Sequence, residues 1–145
     1  MISSLLDRLF APAPDPLNQD DARLALSALL VRLARSDGDY DAREIAAIDA
    51  ALAARYGLTP AAAADLRQEA EAFETQAPDT VRFTRAIKDA VPLDDRIAVI
   101  ETAWSVVLAD GTRAEEEDAL MRMVASLLGI NDRDSNIARQ RAQGS

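Results

Sequence analysis

A chain of 145 residues with 49% apolar and 28% charged side chains has the composition of one soluble globular domain, and at this length folding buries about 70% of the unfolded surface. Sixteen basic residues against 25 acidic ones leave a net charge of −9, which argues against nucleic acid and anionic membrane surfaces as partners. There is no cysteine and no histidine. Disulfides, thiolate or imidazole metal sites, redox thiols and the common Cys/His nucleophile and base pairs are therefore excluded.

The first ten residues, MISSLLDRLF, lack a basic n-region, and Asp7 and Arg8 interrupt the apolar run, so no signal peptide is predicted. Ile2, Leu5, Leu6 and Leu9 share one face of a short amphipathic helix, and three prolines between 12 and 16 form a semi-rigid spacer behind it. Residues 1–17 thus stand apart, and their helix is expected to dock on its own domain or, alternatively, on a partner or neighbouring subunit. The main domain spans 18–138. Its first helix, Asp20 to Arg35, carries Ala22, Leu26, Leu29, Leu30 and Leu33 at helical spacing, with Asn18 as its N-cap. Ile45, Ile48, Leu52 and Tyr56 mark the next. Two weaker helices follow, one opened by Thr59 and Pro60 as N-cap and N1, the other by Asp79; Phe73, Phe83 and Ile87 are their core candidates. Ile97, Ile100, Trp104, Val107 and Leu108 mark a fifth, and Leu120, Met123, Val124 and Leu127 a sixth. Trp104, Met121 and Met123 read as core packing. Residues 139–145 form a polar tail expected to fray.

Thirty alanines outnumber the 21 valine, isoleucine and threonine residues combined, and no alternating apolar run marks a strand. The predicted fold class is all-α, a single compact domain of seven to eight helices. The longest charge-free stretches, 56–64 and 123–131, are nine residues long against the roughly 18 of a membrane span, so no membrane insertion is expected and the chain is assigned to the cytoplasm.

An internal repeat carries the functional information. Asp37-Gly38 and Asp110-Gly111 stand 73 residues apart, each between two amphipathic helices, and Gly57-Leu58 answers Gly129-Ile130 at an offset of 72. The one-residue difference leaves Glu44 paired with either Glu116 or Glu117. The chain is expected to fold as two pseudo-symmetric helix-turn-helix halves, with the two helices between them as linker. Residues 37–49 and 110–118 each carry a net −4, so 22 residues hold −8 of the −9.

These residues resemble the tellurite-resistance TerB-like family, which is related to the N-terminal domain of DjlA-type co-chaperones. The resemblance rests on Ser36-Asp37-Gly38 and Ala109-Asp110-Gly111, each followed by an acid six or seven positions on, on Ile45 after Glu44, and on the closing Gly57-Leu58 and Gly129-Ile130. It covers about residues 20–131 and implies a compact all-helical domain with an acidic face and a role in cation binding or stress response.

Three readings of the acidic turns follow. In the first they only terminate and cap helices: Gly38 and Gly111 at C′, Asp41 with Glu44 as a capping box, and Thr112 with Glu115 as a second one. In the second the turns meet as one oxygen-lined site built from Asp37, Asp39, Glu44, Asp110 and Glu116 or Glu117, whose hard ligands select Ca²⁺, Mg²⁺ or Mn²⁺. An EF-hand loop is rejected, because glycine stands second and Ile48 twelfth. No organic cofactor is expected, and the same acidic face could instead receive a basic patch of a protein partner. The third reading is a metal-dependent hydrolase using these carboxylates. Without His or Cys, with Lys88 as the only lysine, and with no phosphate-binding glycine loop, a non-enzymatic binding module is the expectation.

Overall fold

The computed structural model describes residues 19–35, 40–77, 79–108 and 115–144. The N-terminal segment, Asn18 and the two Asp-Gly turns lie outside the described residues. Seven helices are present among those described: α1 (Gln19–Arg35), α2 (Ala42–Tyr56), α3 (Pro60–Gln76), α4 (Thr80–Ala90), α5 (Leu93–Leu108), α6 (Glu115–Leu127) and α7 (Asp132–Gly144), with no strand.

Helix α1 organises the rest. Every residue from Ala25 to Val31 is buried, so this helix has no solvent face along two turns. A helix that is apolar all round must be covered on all sides. Helices α2, α3, α4 and α5 each pack on it. The core candidates Phe73, Phe83 and Ile87 are completely buried, and the two phenyl rings meet in a tilted pair with centroids 6.0 Å apart. The expected caps are in place: the side chain of Asp41 accepts from Glu44 N at 3.0 Å, Thr59 Oγ1 from Ala62 N at 3.1 Å, and Asp79 Oδ1 from Arg82 N at 3.0 Å.

The internal repeat runs one helix deeper than the sequence reading placed it. Helix α3 packs along α1 as α7 packs along α5, so α3 belongs to the first half and only α4 connects the halves. The reason is a repeated stop-and-start. Gly57 (φ 64) and Gly129 (φ 77) take the left-handed conformation, the following Leu58 and Ile130 amides donate back to Ala53 O and Ala125 O, and the next residue caps a new helix. Thr59 plays that last part for α3 and Asn131 for α7, where its Oδ1 accepts from Asp134 N at 2.8 Å. Because the three steps occupy three consecutive residues in both halves, the third helix leaves at a set angle and returns over the first.

Two further differences from the sequence reading concern the last helices. The buried face of α6 and its closing turn is Met121, Val124, Ala125 and Leu128, while Met123 is 44% exposed. The segment holds more apolar residues than one helix face can take, so two stripes offset by one position, about 100° of rotation, compete on periodicity alone. Packing against α4, α5 and α7 selects the second. Helix α7 continues to Gly144, past the expected start of a polar tail at Arg139, and its Ala142 packs against the core.

The two left-handed glycines make a graded test. A Cβ at Gly57 would meet no atom within 4 Å, whereas at Gly129 it would stand 3.0 Å from both Arg96 Nη1 and Lys88 Cε. Gly57→Ala is expected to cost about 1 kcal/mol, the conformational penalty alone, and Gly129→Ala more, because side chains must also move. Urea denaturation of the two variants measures the ordering.

Candidate functional site

Asp37, Asp39 and Asp110 lie outside the described residues, and Glu116 and Glu117 fall in the first turn of α6, where the backbone alone is described. Glu44 is half-buried in the first turn of α2. Among the described residues, no group of three acidic side chains is gathered as metal ligands. The helix starts Ala42 and Glu115 stand 73 positions apart, as do the fully buried Ile48 and Met121. That register pairs Glu44 with Glu117 and leaves Glu116 one position off.

Two acids of the first segment have structural work. Asp41 caps α2, as the capping reading expected. Asp49 accepts from Arg67 Nε at 2.6 Å and forms one end of an ion-pair network, so it leaves the acidic set counted at the turn. The network climbs α3 on one face, through Arg67, Glu71 and Glu74 at helical spacing. Arg67 Nη1 reaches Glu71 at 3.2 Å, and Tyr40 donates its hydroxyl to Glu71 Oε2 at 2.7 Å. Glu74 is shared by Arg35 at 2.8 Å and Arg32 at 3.2 Å, and its carboxylate is 12% exposed. Arg32 Nη2 also donates to the carbonyls of Glu74 and Ala77, closing the C-terminal end of α3. The guanidinium of Arg35 lies 4.9 Å from the centre of the Tyr40 ring.

This geometry brackets the first acidic turn. Arg35 is the last residue of α1 and Tyr40 the first described residue after 36–39, and both are tied to α3 and to each other. Three arginines meet three carboxylates in the network, Asp49, Glu71 and Glu74, so the charge on this face of α3 is balanced where it stands. Burial, then the hydrogen bond to the Glu71 carboxylate, push the Tyr40 hydroxyl far above its ordinary pKa, because both favour the neutral phenol. The hydrogen bond to Asp49 pushes the Arg67 guanidinium up as well.

Sequence reading missed Tyr40, Arg67, Glu71 and Glu74 as members of this network. A signal was present: Arg67, Glu71 and Glu74 recur at the spacing of one helix face. Nothing local pointed that face at α1 rather than at solvent. Away from the turn, a shallow groove of about 590 Å³ between α2 and α5 is floored by alanines such as Ala47, Ala51 and Ala98. Its hydroxyls are satisfied within their own helix, Thr102 by Ala98 O and Ser105 by Glu101 O.

Residues 23–140 match the family model described as tellurite resistance protein TerB. No curated protein and no solved structure matches the chain.

The tyrosine anchor has a pH signature. An unfolded tyrosine loses its proton near its ordinary pKa of 10.0, whereas folded Tyr40 holds it to higher pH. The stabilisation is therefore complete below pH 10 and is lost as the pH rises toward the folded value. Tyr40→Phe is expected to cost about 1.5 kcal/mol near neutrality, the worth of a hydrogen bond to a charged group. It is also expected to flatten the decline in stability that sets in as the pH rises above about 10, read from urea midpoints at neutral pH and above about pH 10.

Proposed function

The chain belongs to the TerB family of tellurite resistance proteins, and from that premise we propose that it is a non-enzymatic binding module whose acidic turns hold a hard divalent cation. The observation that carries the reading is the placement of charge. Of the net −9, −8 resides in residues 37–49 and 110–118, and −7 is left once Asp49, paired with Arg67, is set aside. The arginines beside the first of these segments are engaged: Arg35 and Arg32 by Glu74, and Arg67 by Glu71 and by Asp49 at the segment's far end. Arg35 and Tyr40, the described residues on either side of 36–39 in the chain, thus belong to a balanced network, and the surplus negative charge of the segment is proposed to attract a counterion.

The ligands proposed are Asp37, Asp39 and Glu44 from the first half, with Asp110 and Glu117 from the second. Oxygen-only donors favour Ca²⁺, Mg²⁺ or Mn²⁺ over softer metals. The proposal is for a cytoplasmic adaptor that acts in a tellurite or stress response through what its acidic face binds. It is not for a reductant of the oxyanion, since the chain has no thiol.

Calorimetric titration with the three cations tests this. The wild-type chain is expected to bind at least one of them and to melt higher in its presence, by about 2.7 kcal/mol of added stability at a hundredfold excess over Kd. The double variant Asp37→Asn with Asp110→Asn is expected to lose both effects. An absence of heat and of any melting shift in the wild type would overturn the cation site and leave the acidic face as a surface for a basic protein.

A further inference from the structure

The two halves use the same arginine differently. Arg23 in α1 and Arg96 in α5 stand 73 positions apart, in the register that also relates the buried pairs Leu26 with Val99 and Leu33 with Val106. Arg96 donates through Nε to Val91 O at 3.0 Å and through Nη1 to Leu128 O, so its guanidinium closes the end of α6. The counterpart of Leu128 in the first half is Tyr56, and there the guanidinium of Arg23 lies 4.4 Å from the centre of the Tyr56 ring. Its Nε is buried and has no acceptor among the described residues. A buried donor without a partner is destabilising, and native structures leave few of them.

Arg23 borders a cavity of about 390 Å³ at the meeting of α1, α2 and α5, together with Leu26, Arg55, Tyr56, Pro92 and Asp95. Arg55 flanks the same ring, 5.6 Å from its centre. Asp95 is the one acid among the described lining residues; it stands 3.8 Å from Arg55 and is 48% exposed, a loose contact that a better acceptor can displace. The cavity therefore joins two guanidiniums and one weakly held carboxylate, a local excess of positive charge in a chain of net −9.

We propose that this cavity is a binding site for a small oxyanion, held by Arg23 with Arg55 turning from Asp95 to complete the contact. Arginine suits the task, since its planar donors match two oxygens of a carboxylate, phosphate or related anion at once. Ala22, Leu26 and Pro92 line the cavity beside the Tyr56 ring, so its polar donors are concentrated at the two arginines. The proposal is independent of the cation reading, because no residue of the acidic segments lines this cavity.

The test is a titration of the full chain with inorganic phosphate, sulfate, acetate and tellurite, each at constant ionic strength maintained with chloride, following the arginine Nε–H signals by NMR. A saturable shift of the Arg23 signal with any of the four supports the site, and the tightest ligand identifies the oxyanion class. Arg23→Gln is expected to abolish binding. Because that variant also alters packing, Arg55→Gln at the rim is expected to weaken affinity about tenfold, and Asp95→Asn to tighten it several-fold by removing the competing carboxylate. A shift that follows total ionic strength alone, or an affinity indifferent to both Arg55→Gln and Asp95→Asn, would overturn the proposal.

Discussion

Seven consecutive buried residues in α1 set the terms for everything around them. A helix without a solvent face cannot be stabilised by one neighbour, so the chain must supply four, and it does so by bringing α3 back over α1 through the Gly57-Leu58-Thr59 reversal. The second half repeats the manoeuvre with Gly129-Ile130-Asn131, and α7 covers α5. Burial of one helix is thus converted into a rule about turns: each half needs a left-handed glycine followed at once by a new N-cap, or its first helix is left exposed to water.

The arrangement of charge follows from the same packing. Arginines on α1 and α3 sit at the junction of helices, where their stems are covered and their heads face carboxylates of known partners. Glu74 alone serves two of them. That junction includes Arg35 and Tyr40, so in the chain a balanced set of polar contacts directly flanks residues 36–39 of the first acidic segment. Arg35 and Tyr40, on either side of residues 36–39 in the chain, are both anchored to α3.

Much of the fold was legible in the residues themselves. Thr59-Pro60 and Asp79 announce helix starts through chemistry confined to four residues, and the fully buried Phe73, Phe83 and Ile87 stand out as large apolar groups in otherwise polar helices. The repeat was legible from its Asp-Gly and Gly-Leu landmarks. What was not legible depended on partners distant in sequence. The stripe of α6 could be chosen only by what packs on it, and the depth of the repeat only by where α3 lands. At the candidate site, Asp49 counted as free acid until Arg67, 18 residues away, was seen to hold it. Asp37, Asp39 and Asp110 remain readable through sequence alone, because they lie outside the described residues.

The surroundings of Gly129 have a practical consequence. Lys88 is the only lysine of the chain, and its side chain lies against that glycine, at the closing turn of α6. Amine-selective reagents therefore have one side-chain target, and it stands at a turn the second half needs in order to cover α5. A fluorophore or mass tag placed there reports the opening of that turn without any substitution in the chain, so the integrity of one half can be followed while the other is perturbed.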